Sequence, residues 1–196
     1  QWTPYNYRGR RGSLADYVPA IDVRLYKQKW FVQAGFRYGA PQYTREFVYS
    51  KDYKRDTFGT VQSSTAYSLK KTYYHQVPVS FNYFIKPNWS VGAGVVYNRF
   101  FGAVSEREDR AQLTPTTDSL IGKAIVRDRN DSLFRSSNVQ LLFETQYQWK
   151  RLAIGARLAQ GLQPFIYYTD AQGRPQKQRS SSVNLFVRYE LWRQKN

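Results

Sequence analysis

The sequence predicts an all-β fold, an antiparallel up-and-down transmembrane β-barrel of eight strands, seven of which can be read directly. Three observations predict it. Hydrophobicity alternates with a period of two residues, tight and long connections alternate along the chain, and four of the five tryptophans fall at ends of strands that a meander brings to one rim. We expect residues 1–196 to form a single barrel domain, which could be the C-terminal part of a longer protein.

Seven segments place apolar side chains on one face and small or polar side chains on the other. In the second segment, for example, Trp30, Val32 and Phe36 share one face, while Gln33 and Arg37 share the other. The seven segments are residues 17–26, 30–40, 73–85, 89–98, 138–149, 152–161 and 182–191. The prolines in the predicted strands, Pro19, Pro78 and Pro164, predict bulges or local breaks, because proline cannot donate a hydrogen bond to a neighbouring strand.

The connections between these segments are of two kinds. Residues 27–29, 86–88 and 150–151 form tight turns, whereas residues 43–66, 106–131 and 170–179 form long or polar connections. The middle long connection could extend as a β-ribbon through residues 120–126. An even strand number requires an eighth strand before the first segment, supplied in part by residues 1–9 or by sequence upstream of them.

The amino-acid composition excludes several classes of protein. No stretch of 18 apolar residues is present, so a membrane-spanning helix is excluded. The absence of Cys excludes disulfides, thiolate metal sites and a Cys nucleophile, and the absence of Met predicts a processed chain or a piece of a longer one. The net charge of +16 fits a basic surface, nucleic acid or the phosphates of a lipid surface.

The positions of the tryptophans and of the lysines favour a membrane barrel over a soluble sheet or a lipocalin-like barrel. The tryptophans at the predicted rim, where indole rings favour a membrane interface, are Trp30, Trp89, Trp149 and Trp192. The lysines lie in turns, in loops and at strand ends, whereas a soluble sheet would carry them along its water-facing side.

The face opposite the apolar one predicts a narrow, ion-paired lumen. Its acids and arginines are Asp22, Arg24, Arg37, Glu144, Arg157, Arg188 and Glu190. A barrel of eight strands has room inside for side chains only, so we expect a salt-bridged plug rather than a gate or a proton path.

The chain offers little for catalysis, and we predict no enzyme, no cofactor and no metal site. His75 is the single His, its parity points outward, and a structural role at the interface is favoured over a catalytic one. Cations at the outer level, Arg99, Lys70 and Lys71, are candidates for contacts with lipopolysaccharide phosphates, with a solvated surface as the alternative. The scattered basic residues argue against nucleic acid.

The run LKKTYYHQVPVSFNYFIKPNWSVGAGVVYNRF, which begins at Leu69, resembles the small outer-membrane β-barrel proteins of the Bacteroidota. The runs QYQWKRLAIGARLAQGL and LFVRYELW are similar to the last strands of that family. One group of the family resembles anti-sigma factors whose N-terminal part crosses the inner membrane and whose C-terminal barrel sits in the outer membrane. The resemblance therefore implies a bacterial outer-membrane location with a periplasmic C-terminus. The chain departs from many outer-membrane proteins in ending on Asn196, and Trp192 could replace the usual terminal aromatic residue.

The leading functional hypothesis is a non-enzymatic anchoring or signalling domain of the anti-sigma type, in contact with outer-membrane lipid and lipopolysaccharide. It would dock on a larger outer-membrane protein such as a TonB-dependent transporter. The alternatives are an accessory subunit of an outer-membrane transport, assembly or secretion complex, a lipid A-modifying barrel enzyme, and a soluble lipocalin-like binder.

Overall fold

The protein is all-β, and its strands form one antiparallel up-and-down sheet that curls around a polar interior. The computed structural model describes residues 20–114, 117–128, 133–169 and 173–191, without the side chains of 43–47, 112–114, 117 and 128. Eight strands lie in these ranges: β1 (Ala20–Lys27), β2 (Trp30–Arg55), β3 (Val61–Lys86), β4 (Trp89–Thr114), β5 (Thr117–Asp128), β6 (Ser137–Trp149), β7 (Leu152–Thr169) and β8 (Pro175–Tyr189). Within the described ranges, no helix is long and apolar enough to cross a membrane.

The sheet order is β1-β2-β3-β4-β6-β7-β8, so each of these strands pairs with the next one along the chain apart from β5. Strand β4 has two partners on the same side. Its first half, from Trp89 to Arg99, pairs with β6, and its second half, from Ala103 to Thr114, pairs with β5. The seven predicted segments are thus confirmed as β1, β2, β3, β4, β6, β7 and β8, and the predicted ribbon in the middle connection is confirmed as β5.

Short turns close one end of the sheet, which we call the short-turn end. Gln28 and Lys150 adopt positive φ angles of 49° and 54°, the left-handed conformation that tight antiparallel turns require. At the other end, the turn between β2 and β3 is built on Asp56, whose Oδ1 accepts hydrogen bonds from the backbone N–H groups of Phe58 and Thr60. These local features reverse the chain direction between neighbouring strands.

The end opposite the short turns, the long-strand end, differs from the prediction. Residues 43–66 were expected to be a long connection, but most of them continue β2 and β3, which each have 26 residues. Residues 106–131 and 170–179 likewise supply most of the β4–β5 hairpin and the start of β8. The prediction of loops was wrong here because bulges interrupt the strict alternation, for example between Tyr43 and Phe47.

Pro78 and Pro164 interrupt their strands as the sequence predicts. Register shifts flank Pro164 in β7, which marks a bulge. At Pro78 the register with β2 is kept, but no pair is formed between Ala34–Val79 and Arg37–Gln76, so the break is a local gap in the ladder. A residue without an N–H group explains that gap. Pro19, Trp192 and the expected eighth strand lie outside the described residues.

The two faces of the sheet differ in polarity. Outward side chains of the central strands are apolar and exposed, whereas inward side chains are polar and largely buried. This is the inverse of a soluble sandwich, in which the enclosed face is apolar. We call the enclosed space the lumen.

A hydrophobic cluster fills the lumen toward the long-strand end. Its buried members are Tyr49, Leu69, Ala103, Phe134, Phe165 and Ile166, and we call them the apolar cap. Phe100 stacks on Phe134 with ring centroids 5.0 Å apart. An isolated bridge between Phe134 and Ile166 fixes the segment between β5 and β6 against β7. The apolar cap therefore separates the polar lumen from the projecting ends of the strands.

Strands β1 and β8 form the two edges of the sheet within the described residues, since each pairs with one neighbour. Both run toward the short-turn end. Their outward apolar side chains are more exposed than those of central strands: 76% for Ile21 in β1 and 85% for Leu185 in β8, against 39% for Val91 in β4. The edges are close enough for their inward side chains to meet, as described below.

Candidate functional site: the polar lumen

Four side chains at the centre of the lumen form an ion cluster, made up of Asp22, Glu144, Arg157 and Arg188. Arg157 Nη2 lies 2.8 Å from Glu144 Oε2, and Arg188 Nη2 lies 3.4 Å from the same oxygen. Arg188 Nε lies 2.9 Å from Asp22 Oδ2. Ser80 Oγ donates to the other Glu144 oxygen at 2.6 Å. The cluster therefore connects β1, β3, β6, β7 and β8 across the lumen.

A second group lies nearer the short-turn end and is centred on Arg24. Its Nε donates to Gln33, its Nη2 to Gln146 and its Nη1 to the Tyr26 hydroxyl, at 3.0, 3.0 and 3.1 Å. The Tyr26 hydroxyl donates in turn to Glu190 Oε1 at 3.2 Å. Arg24 and Glu190 are thus linked through a tyrosine rather than paired directly.

Three amide side chains form a hydrogen-bonded amide chain on the side of the ion cluster nearer the apolar cap. Gln76 Nε2 donates to Asn98 Oδ1 at 2.8 Å, and Asn98 Nδ2 donates to Asn138 Oδ1 at 3.0 Å. All three side chains are buried. The Tyr74 hydroxyl is also buried and interacts with the Asn138 and Thr72 side chains, so it extends the amide chain toward the apolar cap. The sequence gives no reason to single out these residues beyond their inward parity.

Arg37 differs from the other lumen arginines. It pairs in register with Ala20 of β1 and Gln76 of β3, so its side chain enters the lumen beside the amide chain. Its guanidinium interacts electrostatically with the charges of Arg157 and Asp22. Within the described residues, however, the guanidinium forms no hydrogen bond or ion pair, and its Nε atom is buried. The expected ion pair at Arg37 is therefore not formed.

The rim tryptophans lie at the short-turn end. Trp30 and Trp89 begin their strands and Trp149 ends β6, all with the outward parity of the apolar face. Trp89 Nε1 donates to Thr145 Oγ1 at 2.7 Å. The ammonium groups of Lys27 and Lys150 lie 5.9 and 5.6 Å from the rings of Trp30 and Trp149.

Arg99 and His75 lie at the same height of the sheet, at the end of the apolar band that is farther from the short turns. Arg99 is exposed and lies opposite His75 in the β3–β4 register. His75 Nδ1 accepts the Gly39 N–H at 3.3 Å, and its ring lies 4.6 Å from that of Tyr38. His75 is therefore in contact with the Gly39 backbone and the Tyr38 ring of the neighbouring strand β2.

Lys70 and Lys71 separate at a bulge in β3. Lys70 is partly exposed and lies 3.4 Å from Glu106 Oε2. Lys71 is fully buried, with its ammonium group 5.5 Å from the Tyr73 ring centroid. The expectation that Lys71 contacts lipopolysaccharide was wrong, because its side chain is fully buried.

A second set of charges lies on the ribbon formed by the projecting parts of β3 and β4 with β5. Lys123 Nζ lies 2.6 Å from Glu108 Oε1 and 3.0 Å from Glu106 Oε1. Hydrogen bonds to Glu108 and Glu106 raise the pKa of Lys123 to about 12, and hydrogen bonding from Lys123 lowers the pKa of Glu108. Arg110 also lies 3.2 Å from Asp118 Oδ2. The ribbon is therefore held by ion pairs, whereas apolar packing holds the cap.

The described residues contain no group of three His, Asp or Glu side chains arranged to hold a metal ion. The arrangement they do contain is a buried, cross-linked polar filling. No protein-family model matches the chain, and comparisons with curated proteins and with solved structures also find no match.

Proposed function

We propose that this chain is a bilayer-spanning β-barrel of the bacterial outer membrane that acts non-enzymatically as an anchoring domain. The observation that carries the proposal is the continuous apolar outer face. Its exposed side chains include Val77, Val79, Phe81, Val91, Val95, Leu141, Phe143, Ile154 and Leu158. In water such a surface would be an unusually large exposed apolar patch, whereas lipid chains would cover it without cost.

The dimensions of the band support a bilayer. On β4 it extends from Trp89 at the short-turn rim to Arg99 at the level of His75. Ten residue steps span about 33 Å along a strand. At a tilt of about 40°, this corresponds to roughly 25 Å of height, the thickness of the apolar belt of outer-membrane barrels. Tryptophans at one boundary and an arginine at the other are the residues expected at the two interfaces.

The filled lumen supports an anchor rather than a pore. The ion cluster and the amide chain cross it, and the apolar cap closes it toward the long-strand end. Water-filled channels occur in barrels with many more strands. A barrel of this size, filled with side chains that bond one another, is suited to holding an attached or associated protein at the membrane.

In the proposed orientation the short turns face the periplasm, and the projecting strands face outward. Arg99 and Lys70 then lie at the level of the lipopolysaccharide phosphates. Apolar side chains on β5 are exposed on the projecting ribbon, with 65% of Ile121 accessible. They support docking of the ribbon on a larger outer-membrane protein such as a TonB-dependent transporter.

The resemblance described in the sequence analysis extends the proposal to an anchoring and signalling domain of the anti-sigma type. The exposed ribbon supports a second candidate as well, an accessory subunit of an outer-membrane complex. Cross-linking from Ile121 in native membranes, followed by identification of the partner, distinguishes the two. A transporter that signals through a sigma factor supports the first, and assembly or secretion machinery supports the second.

An arginine scan of the outer face tests the membrane proposal. Val95 lies at mid-height of the band and is exposed, so Val95→Arg would be nearly neutral on the surface of a soluble sheet. In a bilayer the same substitution costs about 2 to 4 kcal/mol at the midplane and about 0 to 1 kcal/mol near an interface. We expect Val95→Arg to lower the free energy of unfolding in lipid vesicles by the larger amount.

Tyr97→Arg is the matched control, because it adds the same side chain two residues closer to Arg99 on the same strand. We expect it to cost clearly less than Val95→Arg. Equal and small effects at both positions, together with a protein that stays dispersed without detergent, would contradict the proposal in favour of a soluble barrel.

A further inference from the structure

Three arginines lie at the height of the sheet where the apolar outer face ends, and we call Arg99, Arg135 and Arg179 the arginine row. Arg99 of β4 is opposite Ser137 of β6 in the strand register. Arg135 Nε donates to the backbone carbonyl of the same Ser137 at 3.0 Å. Arg179 of β8 is opposite Pro164 of β7. The row therefore extends across the wall formed by β4, β6, β7 and β8.

The register places Ser137 and Pro164 at the same height. Two pairs between β6 and its neighbour β7 flank them: Gln140–Gly161 and Phe134–Ile166. Ser137 therefore lies opposite the bulge at Pro164. Since neighbouring strands are about 4.8 Å apart, the row covers roughly 14 Å of the sheet from β4 to β8.

The side chains of the row belong to the outer face. Arg99 and Arg179 have the parity of the outward apolar side chains on their own strands, and both are exposed. Phe134 is buried in the apolar cap, so the next residue, Arg135, points to the opposite side of the sheet, where it is partly exposed. Toward the short-turn end, the same wall exposes apolar side chains: Leu141, Leu158 and Val183.

The arginine row has no counter-charge on its own wall. Strands β6, β7 and β8 contain one acid, Glu144, and its side chain lies in the lumen. Within the described residues, none of the three guanidinium groups forms an ion pair. The cations of the ribbon differ, because Lys70, Lys123 and Arg110 each contact an acid. Positive charge is therefore concentrated at one boundary of the apolar band, on one side of the barrel.

We propose that the arginine row binds the phosphate groups of lipopolysaccharide, whose acyl chains cover the apolar side chains beside it. This proposal rests on the outer-membrane function proposed above. A guanidinium group is always charged and can bind a phosphate through two parallel hydrogen bonds. A phosphate between neighbouring arginines also offsets their mutual repulsion.

The position of the row favours a lipid phosphate over a free one. Acyl chains in contact with the apolar band hold the phosphates of the same molecule near the row, which raises their effective concentration there. Inorganic phosphate has no such second contact. The wall formed by β4 to β8 should therefore bind lipopolysaccharide more tightly than the ribbon side, where Lys70 is already paired with Glu106.

Native mass spectrometry of the whole chain in detergent micelles tests the site, with diphosphorylated lipid A as the probe. We expect Arg99→Gln combined with Arg179→Gln to weaken binding about tenfold or more, since two charge-assisted contacts are lost. The matched control is Arg107→Gln combined with Arg110→Gln, which removes two arginines that face acids on the ribbon and should keep binding within about twofold. Equal losses in the two double variants would mean that net charge alone attracts the lipid, and would overturn the proposal.

The unaltered protein gives a second measurement that does not depend on the folding of a variant. Lipid A without its phosphates should bind at least tenfold more weakly, and excess inorganic phosphate should leave most of the diphosphorylated lipid bound. Equal binding of the two lipids, or displacement by inorganic phosphate, would overturn the assignment. The Val95→Arg measurement is independent of this one. A large cost there without phosphate dependence here removes only the arginine row, whereas a small cost there removes the membrane proposal.

Discussion

Arg157 of β7 and Glu144 of β6 form a salt bridge of 2.8 Å in which the two side chains are 2% and 0% exposed. They are also partners in the strand register, so the backbone ladder presents them side by side. Because their charges are removed from water, each depends on the other, and loss of one leaves an unpaired charge in the lumen.

Glu144→Ala should therefore be strongly destabilising. We expect a loss of about 3 to 5 kcal/mol in the free energy of unfolding, since Arg157 loses its partner and Arg188 loses one of two. Chemical unfolding in lipid vesicles measures the loss. The double variant Glu144→Met with Arg157→Met should be less destabilised than Glu144→Ala. If the double variant had a lower free energy of unfolding than Glu144→Ala, the two charges would not be stabilised mainly by neutralising each other.

Gly35→Ala should disturb the ion cluster from the opposite wall. A Cβ atom on Gly35 would overlap the carboxylate of Asp22, so that side chain must rotate away from Arg188. We expect a loss of roughly 1 to 3 kcal/mol in the free energy of unfolding. Gly122→Ala on β5 is the matched control, because nothing lies within 4 Å of its added methyl group. Equal effects of the two substitutions would argue against the contact.

If the protein spans a bilayer as proposed, the rim tryptophans should report a common depth in it. Variants that keep only Trp30, Trp89 or Trp149 should be quenched most by lipids brominated near the headgroups, because all three lie at the short-turn rim. Val95→Trp in a background without other tryptophans provides the contrasting case and should be quenched by bromine near the chain ends. Different depths for the three native positions would be inconsistent with a single interface.

The ribbon should respond to pH at both extremes. Glu108 has a lowered pKa, so its pairing contributes at pH above its ordinary value of 4.5 and is lost as pH falls through the lowered pKa. Lys123 has a pKa raised to about 12 from 10.5, so its contribution is full below 10.5 and is lost as pH rises through about 12. Lys123 is exposed and Glu108 is partly exposed, so the effect is small and screened by salt.

A spin label measures this response, because the chain has no native Cys. A label on Ala124→Cys in β5 should have constant mobility between the two transitions and greater mobility beyond each of them. A label on Ala93→Cys in the barrel wall should not change. A transition near neutral pH, or equal changes at the two sites, would contradict the assignment to Glu108 and Lys123.

The strands of the barrel wall could be predicted because their signals are local. The alternation of apolar and polar residues correctly predicts that Val77, Val79 and Phe81 point outward. The residues of the short turns correctly predict where the strands end at that side of the sheet. The extended strands at the other end could not be predicted in this way. Bulges there interrupt the alternation of apolar and polar residues. The pairing of β4 with β5 involves polar residues such as Glu106 and Lys123, whose side chains give no apolar pattern from which a strand could be predicted.

The sequence was sufficient to predict which residues line the lumen, but not which of their side chains pair with each other. Inward parity identifies Asp22, Glu144, Arg157 and Arg188 as lumen residues. The pairing of Arg188 with Asp22, and the isolation of Arg37, depend on how far the sheet curls. The apolar cap was missed because Phe134 lies outside any regular strand and is buried only through contacts with distant residues.

The contact between Asp22 and Arg188 also bears on the order of assembly. The two residues are 166 positions apart in the chain, whereas each hairpin of the meander joins near neighbours. Contacts of high sequence separation cost the most chain entropy and tend to form late. The hairpins can therefore pair in sequence order before the first and last strands meet. Substitutions at Asp22 or Arg188 should then accelerate unfolding more than they slow folding, as expected for a contact that forms after the transition state.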